Sequence, residues 1–126
     1  MTMDIHREAG AFLYNQYLSQ DIMDPLPEDL APKTICDAYL IQEEYLGHIS
    51  ESRGPVGGCK LAYTTTAMQV RAGLNEPCAG KILSKTIMHS PAILYAKDYV
   101  NLGVECEIAV KLSSDLTPYE LPFTRQ

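Results

Sequence analysis

The sequence predicts an α+β fold, with an N-terminal helical pair followed by the start of a mixed β-roll. Two observations carry this. Apolar residues recur at helical spacing through the first fifty positions, and short β-prone runs bounded by turn residues fill the rest. Helices first and strands later is the order of an α+β chain rather than of a doubly wound sheet. Residues 1–53 are expected to form the helical region and residues 54–126 the β-rich part.

The first helix is expected from about Asp4 to Ser19, because Ile5, Ala9, Phe12, Leu13 and Tyr17 share one face. Asp24-Pro25-Leu26-Pro27 then breaks the chain. A second helix is expected from about Lys33 to Ile49. Thr34 and Asp37 have capping-box spacing, and Ile35, Ala38, Tyr39, Gln42, Tyr45, Leu46 and Ile49 form a stripe interrupted only by Gln42. Ser52-Arg53-Gly54-Pro55 ends the helical region, and Val56 to Tyr63 reads as a glycine turn entering a strand. Thr64-Thr65-Thr66 is placed to cap a short helix carrying Ala67, Met68 and Val70. Further strands are expected near Lys81 to Leu83, Ala92 to Tyr95 and Val104 to Leu112. Ser113 to Gln126, with Pro118 and Pro122, shows little pattern.

Composition narrows the functional classes. The 126 residues are 46% hydrophobic and 21% charged, the balance of a globular domain. A net charge of -6, with ten basic residues scattered rather than clustered, disfavours nucleic acid and anionic membranes as partners. No apolar run reaches bilayer length, and Asp4, Arg7 and Glu8 do not suit a secretory leader, so a cytoplasmic location is expected. Cys36, Cys59, Cys78 and Cys106 form no CxxC pair and read as reduced, mostly buried thiols. His6, His48 and His89 lie far apart and read as surface or helix-flanking residues. Gly57-Gly58-Cys59-Lys60 is not a phosphate loop, which needs glycine at Cys59 and a hydroxyl residue at Leu61.

The last expected strand carries a chemical signal. Val104, Cys106, Ile108, Val110 and Leu112 alternate with Glu105, Glu107, Ala109 and Lys111. Period two sets the glutamates on one face with Cα atoms about 6.5–7 Å apart. Two carboxylates so placed suit Mg²⁺ or Mn²⁺, or else form a plain solvated face; spacing alone favours the solvated face.

Several motifs, in order, resemble the 2-keto-4-pentenoate hydratase and 4-oxalocrotonate decarboxylase group of the fumarylacetoacetate hydrolase superfamily. Ala38-Tyr39-Leu40-Ile41-Gln42 is similar to its A-Y-x-I-Q helix signature. Gly58-Cys59-Lys60-Leu61-Ala62-Tyr63-Thr64-Thr65 looks like its G-x-K-x-G-L-T-S segment, with Ala62-Tyr63 in place of G-L. Ala67-Met68-Gln69 and Gly73-Leu74-Asn75-Glu76-Pro77 resemble the stretches that follow. Gly103 to Ala109 resembles the E-x-E-I-A strand, and Asp115-Leu116 the D-L that closes it. The resemblance spans nearly the whole chain and the N-terminal half of such an enzyme.

The resemblance implies a divalent-metal-dependent hydratase acting on 2-hydroxy-dienoate or 2-oxo-enoate acids, or a decarboxylase of related substrates. It implies Glu105 and Glu107 as ligands of Mg²⁺ or Mn²⁺, and Lys60 as a catalytic residue close to substrate. Lys60, Thr64 and Thr65 would contact a small 2-oxo carboxylic acid. A third carboxylate ligand is expected downstream of the E-x-E strand, and the context of Glu120 does not match it. The expected assembly is a homo-oligomer. The alternative is a non-catalytic relative that binds a partner chain through an unfinished sheet.

Overall fold

The computed structural model describes residues 4–115 as three α-helices and a two-stranded antiparallel sheet. Helix α1 spans Ile5–Ser19, and its N-cap Asp4 accepts a hydrogen bond from the His6 amide. That contact satisfies one of the donors a helix start leaves free. Helix α2 spans Ile35–Arg53 and opens on the expected capping box. The Thr34 hydroxyl accepts from the Asp37 amide at 3.1 Å, and the Asp37 carboxylate accepts from the Thr34 amide at 2.9 Å. The helix starts two residues later than expected and runs one turn further, to the turn at Gly54 (φ 80°).

The two helices run in the same direction. His6 Nε2 lies 3.2 Å from Asp37 Oδ1 near their first turns, Tyr14 stacks on His48 in the middle, and Arg53 Nε donates to the Tyr17 hydroxyl at their ends. Parallel neighbours require a linker that travels back along the pair. The proline-rich segment after α1 does so, and Leu26 and Leu30 from it close the core around Ala9, Ile41, Phe12 and Leu13. Backbones approach closely at Gly10, where a Cβ would stand 2.5 Å from Glu44 Cβ and 2.9 Å from the Tyr45 amide nitrogen.

Helix α2 is central and uses two faces. Asp37, Ile41, Glu44 and His48 turn towards α1. Tyr39 and Gln42 turn towards the sheet. The sequence-derived stripe found only the second face. Ile41, just 4% exposed, lies outside that stripe, while Ile35 and Ala38 at its start are exposed.

Strand β1 (Val56–Ala62) pairs antiparallel with strand β2 (Cys78–Leu83), with a bulge between Val56 and Gly58. Between them, helix α3 (Thr66–Ala72) is capped by the Thr65 hydroxyl, which accepts from the Met68 amide, and ends at Gly73 (φ 70°). Ile49 and Leu83 are buried where helix and sheet meet. Short 3₁₀ turns follow at Ser84–Thr86 and Ala96–Asp98.

Three expectations are corrected. Ala92 to Tyr95 and Val104 to Leu112 are not strands, and every residue of both segments is exposed. A strand is stabilised by its neighbour's ladder, and alternation of side chains supplies no neighbour. The expected β-roll is therefore, among the described residues, a two-stranded sheet. The cysteines are free, as read, but Cys36, Cys59 and Cys106 are exposed and Cys78 is half-buried. Among the described residues no helix is long and apolar enough to cross a membrane. Leu116 to Gln126, including Glu120, lies outside the described residues.

Two outcomes follow from the helix pair. Gly10→Val forces α1 away from α2 and lowers stability by about 1–3 kcal/mol in urea denaturation, the usual cost of overpacking; an unchanged midpoint would refute the close contact. The hydroxyl of Thr34, and then His6, hold the Asp37 carboxyl below its ordinary value of 3.8. The stabilisation is therefore complete above pH 3.8 and is lost as pH falls through the lower folded-state value. Asp37→Asn should flatten that acid slope of the melting temperature.

Candidate functional site

The candidate site forms where β1 meets the segment after residue 103. Strand β1 carries Lys60 opposite Gly80 of β2, and the lysine stem lies beside that glycine, 3.6 Å from where a Cβ would stand. From there Lys60 Nζ donates to Glu105 Oε2 at 3.2 Å, a contact that joins residues 45 apart in sequence. The side chains are 46% and 74% exposed, so solvent screens the pair.

Glu105 and Glu107 both act on this lysine. The hydrogen bond and charge of Glu105, followed by the charge of Glu107, raise the Lys60 pKa above 10.5. The ammonium is therefore held protonated at neutral pH. Such a group binds anions; general acid or base work near neutral pH needs the opposite shift.

The two threonines serve different ends. Thr65 accepts the Met68 amide proton as the α3 cap, at 3.4 Å, and Thr64 is exposed beside it. The chain reaches them through Tyr63, whose backbone is left-handed (φ 55°) and whose carbonyl accepts from Gln69 Nε2 at 2.8 Å. That hydrogen bond ties the end of β1 to α3. The structure thus brings Lys60 and Glu105 into contact, sets Glu107 within electrostatic reach, and leaves Thr64 and Thr65 just beyond the end of β1, where α3 begins.

A hard divalent cation prefers carboxylate oxygens and keeps part of its water shell, so Glu105 and Glu107 are a donor set of the right chemistry. Among the described residues no group of three or more His, Cys, Asp or Glu side chains gathers to hold a metal ion. A cation here would rest on two carboxylates with water or substrate filling its remaining positions.

Sequence reasoning missed a second cluster. Tyr17, Tyr45 and Arg53 meet at the C-terminal ends of α1 and α2, with the Arg53 guanidinium 5.9 Å from the Tyr17 ring centroid. Two of these residues were legible only as parts of apolar stripes, and Arg53 only as part of a helix end. No local motif links them. Comparison with known protein families, with curated proteins and with solved structures gives no match to this chain.

The ion pair makes a direct prediction. In Glu105→Gln, the Lys60 pKa should fall back towards 10.5, read by NMR titration of the lysine Cε resonance. A pKa that stays raised means that Glu105 is not its principal partner.

Proposed function

We propose that this chain carries part of the site of a divalent-metal-dependent hydratase acting on 2-hydroxy-dienoate or 2-oxo-enoate acids. The observation that carries the reading is the Lys60–Glu105 contact at 3.2 Å. It joins the two stretches whose motifs resemble the hydratase group and leaves a protonated ammonium beside two carboxylates. Glu105 and Glu107 would hold Mg²⁺ or Mn²⁺, which when bound would polarise the 2-oxo group as a Lewis acid.

The chain's own groups then have separate tasks. The Lys60 ammonium attracts the substrate carboxylate, exchanging the Glu105 oxygen for a substrate oxygen of the same charge. As a cation through the neutral range, it would offset negative charge that develops on the substrate. The Thr64 hydroxyl is exposed and available for orienting a substrate oxygen, while that of Thr65 already receives the Met68 amide and keeps its own proton to donate. A decarboxylase of the same substrate class would use the same groups up to the point where a carbon–carbon bond breaks instead of water adding.

A second reading is favoured by a separate observation. Val104, Ile108 and Val110 are 84%, 96% and 79% exposed. Side chains of α2 occupy the outer edge of β2 at Ala79, so among the described residues β1 offers the open edge. In this reading the chain is a non-catalytic partner-binding module, and another chain completes its sheet.

Calorimetry with Mg²⁺ and 2-oxopentanoate tests the metal-dependent reading. Binding is expected only with both present, and is expected to vanish in the Glu105→Ala, Glu107→Ala double variant. Binding that ignores the double variant sinks the metal site. Association that persists without Mg²⁺ and scales with protein concentration in sedimentation supports the partner-binding reading.

A further inference from the structure

A groove of about 1270 Å³ opens between the C-terminal ends of the helix pair, β2 and residues 85–101. It does not include Lys60, Glu105 or Glu107. Tyr45, Ile49 and Leu83 line it from helix and strand, and Met88 and Leu94 from the segment after β2. Burial raises the Tyr45 pKa, so that phenol stays neutral. The volume exceeds that of most small-ligand sites, so it accommodates an extended apolar body rather than a compact one.

Cations gather in this groove although the chain is acidic overall. Arg53, Lys81, Lys85 and Lys97 line it, with Asp21 and Asp98 as the acids. Lys81 is neutralised by Glu43. The other three have uncharged partners. Arg53 donates to the Tyr17 hydroxyl at 2.9 Å, Lys85 donates to the Ser52 carbonyl at 3.3 Å, and Lys97 sits 5.9 Å from the Tyr95 ring centroid. Among the described residues none of these three lies within ion-pair distance of a carboxylate. Three cations without an ion-pair partner, lining one groove with apolar residues and two acids in a chain of net charge -6, are complementary to an anion with a hydrophobic body.

We propose that this groove binds a small amphiphilic anion, an alkyl or aryl body bearing a carboxylate or phosphate head. The head meets Arg53, Lys85 and Lys97, and the body lies over Tyr45, Ile49 and Leu94. This site is independent of the carboxylate pair near Lys60.

The test uses the whole chain and titrates it with dodecanoate and, separately, dodecyl phosphate, each kept below its micelle concentration. The readout is tyrosine fluorescence, which suits a protein with eight tyrosines and no tryptophan. Saturable one-to-one binding is expected for one or both anions. The Lys85→Ala, Lys97→Ala double variant should weaken it roughly tenfold or more, as loss of charge-assisted contacts predicts. Lys85→Arg with Lys97→Arg should restore it, which separates lost charge from lost folding. Lys60→Ala should leave it unchanged, so failure of the metal-dependent reading and failure of this one remain distinct. Equal binding of dodecyltrimethylammonium, or no saturable binding of either anion, overturns the proposal. So does a double variant with a native circular dichroism spectrum and full affinity.

Discussion

Two side chains of α2 converge on one residue of the sheet. The Tyr39 hydroxyl accepts from the Ala79 amide at 2.9 Å, and Gln42 Nε2 donates to the Ala79 carbonyl at 3.3 Å. Both backbone groups of Ala79 point away from β1, at an edge that would otherwise be left unpaired. This attachment holds the sheet on the helices. It fixes β2 on α2, β2 fixes β1 through the ladder, and β1 carries Lys60 to Glu105. The ion pair between Lys81 and Glu43 supports the same seam from the exposed side. A two-stranded sheet has little stability alone, so its geometry is borrowed from the helix it is fastened to.

The helical pair provides that support because α1 and α2 meet along most of their length. Gly10 lets the backbones approach, and the cluster of Ala9, Leu30 and Ile41 fills the space beside it. Polar contacts mark both ends, with His6 and Asp37 at one and Tyr17 and Arg53 at the other. The ends are therefore in register, and α2 is free to turn a second face to the sheet.

What was readable in the sequence follows from the range of each interaction. The caps at Asp4, Thr34 and Thr65 are local, and the residues that make them lie within three positions of what they cap. Those at Thr34 and Thr65 were readable as caps, and the start of α2 was expected within two residues of where it lies. Lys81 to Leu83 was found because β2 combines β-prone residues with a partner. Val104 to Leu112 alternates just as regularly but has no partner among the described residues, and a pattern of side chains does not record which backbone will lie alongside. Gln42 was visible as a polar break in an apolar stripe, and its target, 37 residues away, was not. The Lys60–Glu105 contact was implied only by the resemblance of two separate motifs. The cationic groove was invisible, since its charges come from α2, β2 and the segment beyond, none of which is basic by itself.

The bulge between Val56 and Gly58 has a consequence for which functional group meets Glu105. Leu83 stands across from Val56 and Ile82 across from Gly58, so Gly57 is the extra residue. Paired without it, the strands would set Cys59 across from Gly80 and Lys60 across from Ala79. Side chains alternate between faces, so that one-place slip would reverse the whole strand. A thiol would then face the carboxylates, and the ammonium would turn to the opposite side of the sheet. A side chain at Gly57 would meet Ser84 Cα at 2.9 Å, which reserves the position for glycine. A single uncounted residue thus acts as a parity bit for β1, selecting a cation over a nucleophile where the strand meets Glu105.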